Sequence, residues 1–178
     1  MISIIGDCSL GLTQVKIREV QNSDITTIHQ IYSYHVMHGL GTFEEETPSL
    51  DEMSGRLGTI IKRNYPYLVA ELNEQVVGFA YVNILRDRSG FRFTVEDSIY
   101  VANECCGLGV GQQLLRELIS RCQQLGFQQM VAVIGDSGNA GSINLHKKCG
   151  FQLCGIMNNV GYKFERWVDV VIMELKLN

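Results

Sequence analysis

The chain has 178 residues, 46% of them hydrophobic, which suits one domain with a sizeable core and is too short for two full-sized ones. Lys and Arg total 15 against 19 Asp and Glu, a formal charge of −4, so no global basic field marks nucleic acid or an anionic membrane as a partner. The six cysteines at 8, 105, 106, 122, 149 and 154 contain no CxxC pair and read as incidental thiols of a reducing cytosol; with no basic leader and no run of about 18 apolar residues, the expectation is a soluble cytoplasmic protein without a metal site.

Residues 1–13 read as a short N-terminal extension, with the folded domain spanning 14–178. The stretch "TQVKIREV" alternates Val15, Ile17 and Val20 imperfectly and predicts a first strand. A helix follows over "NSDITTIHQIYSYHVMH", where Ser23 or Asp24 stands as the cap and Ile25, Ile28, Ile31, Tyr32 and Val36 recur near helical spacing. His29, His35 and His38 fall on it; His35 and His38 can share a face, but no third ligand accompanies them, and they read as surface or cleft-lining residues. The linker "GLGTFEEETP" carries Glu44 to Glu46 as a solvated run. "SLDE" predicts a capping box of Ser49 and Glu52 opening a second helix that stops before Pro66. "YLVAEL" and "VVGFAYVNIL" flank Asn73 and Glu74 as a hairpin, and "FTVEDSIYV" makes a further strand.

From there helix and strand alternate. "GQQLLRELISRCQQLG" predicts a helix ending at Gly126, "QMVAVIG" a short buried strand, and "SINLHKKCG" a helix ending at Gly150. "FQLCGIM" and "WVDVVIMELKL" complete the strands. A mainly antiparallel first half feeding a parallel crossover gives a single-domain α/β fold, a mixed sheet of six to seven strands flanked by helices.

Glycines at 107, 109 and 111 sit where a strand gives way to a helix. A dinucleotide fingerprint would need a glycine at 112, which is Gln112, and a P-loop would need Lys and Ser or Thr after Gly111, where Gln112 and Gln113 stand. Both registers fail. What survives is small residues and free helix amides that suit an anion, alongside the plain alternative of a turn without a ligand. A second strand-to-helix junction carries Asn139 and Ser142, with His146 one turn on. Glu96 lies in an alternating strand among Phe93, Val95 and Ile99, where a carboxylate is either paired or catalytic.

Together "SIYV", "GLGVG", "NAGS" and "LHKKCGF" resemble the Gcn5-related N-acetyltransferase (GNAT) superfamily from about Val15 to Leu177. "RNYPYLVAE", "FTVEDSIYV", "MVAVIG" and "GYKFERWVDV" look like its phosphinothricin and methionine sulfoximine (or sulfone) acetyltransferase branch. The resemblance implies an acetyl-CoA-dependent N-acetyltransferase. Ile99, Tyr100 and Val101 would offer strand backbone to the pantetheine arm. Cys106, Gly107, Leu108, Gly109, Val110 and Gly111 would supply amides to the pyrophosphate, and Asn139 and Ser142 would meet the coenzyme further along. The family usually has Gln or Arg where this chain has Cys106, a departure that backbone donors should tolerate. Glu96 matches the general base that frees the substrate amine, whose pKa near about 8 keeps much of it protonated at neutral pH. The Val101 amide is the expected oxyanion donor.

His146 stands where many superfamily members have Tyr; by resemblance it is catalytic or orients substrate, and the alternative is a packed helix histidine. For the substrate, Arg86, Arg88, Phe91 and Arg92 lie just before Glu96, where guanidinium groups can capture a carboxylate, and Phe43 would line the same pocket. Arg86 and Arg88 resemble the phosphinothricin enzymes and "GFR" the methionine sulfoximine and sulfone enzymes, so the substrate side chain stays open. The resemblance also implies a homodimer with pockets near the interface. Two other readings stand beside this one: an acetyl-CoA-binding sensor that has lost chemistry, and an acetyltransferase for protein N-termini or polyamines.

Overall fold

Strands form at Lys16–Glu19 (β1), Tyr67–Leu72 (β2), Gln75–Ile84 (β3), Thr94–Val101 (β4), Gln129–Gly135 (β5), Gln152–Lys163 (β6) and Arg166–Lys176 (β7). Helices occupy Ile25–His38 (α1), Leu50–Lys62 (α2), Val110–Gln124 (α3) and Ala140–Lys148 (α4). This computed structural model describes residues 15–178; the extension expected at 1–13, and Cys8 within it, lies outside them. The strands make one seven-stranded sheet in the order β1-β2-β3-β4-β5-β7-β6, antiparallel except for the β4–β5 pair. Among the described residues no helix is long and apolar enough to cross a membrane.

Period-2 patterning sends alternate residues of β2 and β3 to opposite faces. Leu68, Ala70 and Ala80 meet Leu114, Leu115 and Leu118 of α3 on one face, while Tyr67, Val69 and Phe79 meet Ile28 and Val36 of α1 and Leu57 and Ile60 of α2 on the other. Leu114, Leu115 and Leu118 are each fully buried, and burial of such a side chain stabilises by roughly 1.5–3 kcal/mol. The β2–β3 hairpin closes through Asn73 and Glu74, both at positive φ (50° and 63°), the signature of the two-residue turn that matches strand twist.

Three local expectations are corrected. Neither Ser23 nor Asp24 caps α1 with its side chain: a 3-10 turn at Asn22–Asp24 intervenes, and Asp24 instead accepts from the Gln21 amide and pairs with Arg18 at 2.7 Å. The capping box of α2 forms by half. Ser49 Oγ accepts from the Glu52 amide at 3.1 Å, but the Glu52 carboxylate turns along the helix to Arg56. β6 continues six residues past Met157 to Lys163 and joins β7 through Phe164 and Glu165, at φ 50° and 58°. Residues with a Cβ are uncommon in that conformation, and the turn lacks the glycine or proline that would mark a hairpin in the sequence.

Candidate active site

β4 and β5 are neighbours only at first. They pair from Thr94 to Asp97 against Gln129 to Ala132, then part, and β5 continues beside β7 alone to Gly135. The split opens a cleft of about 1020 Å³, larger than one small molecule needs, with Glu96 to Val101 along one side.

The free edge of β4 is chemically useful. The Ala102 amide donates to Val77 O at 2.8 Å, and alternation along the antiparallel ladder therefore turns the polar groups of Tyr100 and Ser98 toward β3 and those of Ile99 and Val101 toward the gap. His35 of α1 donates from Nε2 to Val101 O at 2.9 Å, leaving the Val101 N–H as the outward donor. Tyr100 packs edge-on to Tyr32 and stacks on Phe79, so its ring fixes the strand against α1.

Beyond Val101 the chain makes a 3-10 turn at Asn103–Cys105 and enters α3 through Gly107 and Gly109, both left-handed at φ 82° and 81°. An L-residue there would strain the loop. Gly111 serves another purpose, since a Cβ on it would stand 3.2 Å from Leu145 Cδ2 of α4. The first amides of α3 have no carbonyl a turn earlier, so the loop gathers free N–H groups at the positive end of a helix dipole, a fit for phosphate oxygens. Cys106 is largely exposed, with its Sγ 3.7 Å from Ala102 O; what shielding it has from solvent, with the neighbouring Glu104, raises its pKa, so it stays a thiol. Cys106, Gly107, Gly109 and Gly111 line the cleft, whereas Val110, buried in the core, and Leu108, exposed with its N–H donated to Cys105 O at 3.4 Å, are not part of the lining.

Glu96 and Asp97 diverge as consecutive strand residues must. Glu96 is half-buried on the cleft; burial raises its pKa above the ordinary carboxylate value, and the Asp97 charge adds to the rise. Asp97 faces α4, where its Oδ2 accepts from His146 Nε2 at 3.0 Å with both side chains almost wholly buried. His146 Nδ1 lies 2.8 Å from Ser142 O. A carboxylate and a carbonyl both require a donor, so the imidazolium satisfies both contacts at once. Burial opposes that charge, but the bond to Asp97 and its field outweigh burial and raise the His146 pKa. Among the described residues Asp97 Oδ1 has no hydrogen-bond partner.

Asn139 caps α4, its Oδ1 accepting from the Ser142 amide at 3.1 Å, and both residues line the cleft. So does Phe43. Arg86, Arg88, Phe91 and Arg92 do not: they lie on an exposed loop that a 3-10 turn at Ser89–Phe91 closes on itself, with Arg88 donating to Asp87 O and Arg92 to Ser89 O. Among the described residues no three His, Cys, Asp or Glu side chains gather as a metal site. His35 lines the cleft, one of the two placements its sequence position suggested, whereas Asp97 escaped the sequence reading. For Asp97 a signal existed, because adjacent carboxylates in an alternating strand cannot both face water when the sheet is covered on both sides.

The model of the acetyltransferase (GNAT) domain matches residues 17–172. A phosphinothricin N-acetyltransferase of Alcaligenes faecalis is 44% identical over 91% of this chain and 82% of its own length. An L-methionine sulfoximine/L-methionine sulfone acetyltransferase of Pseudomonas aeruginosa is 39% identical over 91% of this chain and 94% of its own. The crystal structure of a GNAT superfamily phosphinothricin acetyltransferase from Sinorhizobium meliloti, in complex with acetyl-CoA, superposes with a TM-score of 0.90 at 42% identity, covering 92% of this chain and 89% of that one.

Proposed function

The chain belongs to the GNAT acetyltransferase family, and from that premise we propose that it uses acetyl-CoA to acetylate the α-amine of a small amino acid of the phosphinothricin or methionine sulfoximine and sulfone type, with Glu96 as general base. The observation that carries this reading is the half-buried Glu96 at the point where β4 leaves β5, on the same cleft as the free edge of β4 and the Gly107–Gly111 loop.

Acetyl-CoA, when bound, supplies an activated acetyl thioester. The free amides at the Gly107–Gly111 entrance to α3 would hold its pyrophosphate, and the open edge at Ile99 and Val101 would hold the pantetheine arm. Glu96 would take a proton from the substrate ammonium, directly or through one water, and so expose the lone pair that attacks the acetyl carbonyl; the C–N bond forms as the C–S bond breaks, and coenzyme A leaves as a thiolate that takes up the proton the nitrogen sheds on becoming an amide. Burial helps here, because a carboxylate with a raised pKa is a better match for an amine of pKa about 8. The Val101 N–H is the donor available to the oxygen that gains negative charge. Phe43 forms an apolar wall for the amino-acid side chain. His146, with both ring nitrogens engaged, acts as a positioning residue that ties α4 to β4. A homodimer fits the exposed apolar strip of the edge strand β6 and its hairpin, where Leu153, Ile156, Met157, Val160, Tyr162 and Trp167 face solvent, and a second copy of this chain is its expected cover.

A thiol-release assay with phosphinothricin, methionine sulfoximine and methionine sulfone tests the reading. Turnover of at least one, saturable in acetyl-CoA, is expected. Acetyl-CoA binding without turnover of any amino acid would contradict it.

A further inference from the structure

Lys163, the last residue of β6, is 1% exposed, and among the described residues no carboxylate pairs with it within 4.0 Å. Its ammonium instead donates to two main-chain carbonyls of the α1–α2 loop, Gly39 O and Thr42 O, each at 2.9 Å. A buried charge is tolerated only when strong partners replace water, and carbonyl dipoles do so here. Burial pushes the lysine pKa down, although Glu45 and Glu44 pull it up.

The same loop is fitted to the sheet at two more points. A Cβ on Gly135, at the end of β5, would overlap the Leu40 carbonyl, and a Cβ on Gly161 would overlap the Phe43 ring. Tyr32 Oη shares a hydrogen bond of 3.1 Å with Thr42 Oγ1. The segment held in this way, Gly39 to Phe43, forms one wall of the cleft, yet Lys163 itself is not part of the lining. The β6–β7 hairpin, far away in sequence, therefore sets where that wall stands.

We propose that Lys163 is a positioning residue for amine-substrate binding: its ammonium anchors the Gly39–Phe43 loop through two backbone carbonyls and holds Phe43 against Gly161 as a fixed wall of the cleft. The assignment rests on the acetyltransferase reading above. An apolar replacement of similar shape leaves two carbonyls without a donor, so the loop detaches while the Cys106–Gly111 loop, built on other strands, keeps its shape.

The test compares Lys163→Met with the wild-type protein by amide hydrogen exchange and by steady-state kinetics. Expected are faster exchange confined to residues 39–47, a rise of about tenfold or more in the KM of the amino acid, and a KM for acetyl-CoA within about twofold of wild type. Lys163→Gln, which keeps an N–H donor, should shift both readouts in the same direction by less, and it carries the test if Lys163→Met does not fold. Unchanged exchange at 39–47 in a folded variant overturns the anchoring role. Equal rises in both KM values overturn the assignment to the amine side. Wild-type protein that turns over no amino acid overturns the acetyltransferase reading instead, and the exchange experiment still tests the anchoring in that case.

Discussion

On one side of the cleft the Cys106–Gly111 loop and the free edge of β4 present main-chain groups; on the other, the Gly39–Phe43 loop stands where Tyr32, Lys163 and the gaps at Gly135 and Gly161 hold it. The first wall is assembled from one continuous stretch of chain, and its function depends on backbone conformation. The second depends on side chains that converge from α1 and the β6–β7 hairpin. Main-chain walls tolerate changes of side chain but not of φ, whereas side-chain walls have the opposite sensitivity.

Four changes would break or sharpen that contrast. The largest effect falls on the strand that joins the walls. Asp97→Ala leaves a buried imidazolium without its carboxylate and should lower stability by about 3–5 kcal/mol, read by denaturant unfolding. Because the His146 pKa is raised above 6.5, the pair's contribution is complete below pH 6.5 and is lost as pH rises through the folded value, so the gap between wild type and variant should narrow in alkaline buffer. On the main-chain wall, Gly109→Ala forces an L-residue to φ 81°, at a cost of about 1–2 kcal/mol, and should weaken acetyl-CoA binding about tenfold while the amine KM stays level. On the opposite wall, Gly161→Ala pushes against the Phe43 ring and should raise the amine KM about fivefold with acetyl-CoA binding unchanged, well short of the roughly 100-fold that a 1 Å misplacement of reacting groups can cost. Isothermal titration with acetyl-CoA and initial rates separate these two outcomes; a variant that moved both constants together would erase the distinction between the walls. The smallest effect belongs to Cys106→Ser, which should leave acetyl-CoA affinity within about twofold, since this thiol lies exposed and the donors are amides.

The same contrast explains what the sequence could reveal. Gly107, Gly109 and Gly111 are punctuation that a reader can see, because left-handed φ and close helix approach leave a residue-type signature. Strand alternation likewise made the β2–β3 hairpin and β4 legible, and capping at Ser49 followed from residue type. The Gly39–Phe43 wall has no such signature, since the reason for Gly161 is a ring 118 residues earlier and the partners of Lys163 are carbonyls 124 and 121 residues away. Arg86, Arg88, Phe91 and Arg92 are near Glu96 along the chain, but the exposed turn that precedes β4 leaves them outside the lining of the cleft. The last half of β6, "NNVGYK", lacks apolar alternation because register shifts interrupt its pairing with β7 between Met157 and Gly161.

The most direct measurement of the central claim is Glu96→Gln, assayed for thiol release with a turned-over amino acid and for acetyl-CoA binding by calorimetry. Loss of the general base should lower kcat by about 10²–10⁴-fold with the acetyl-CoA Kd held within about twofold. Retention of turnover, or loss of turnover and coenzyme binding together, would contradict the assignment of Glu96 as the base of an acetyl-transfer site.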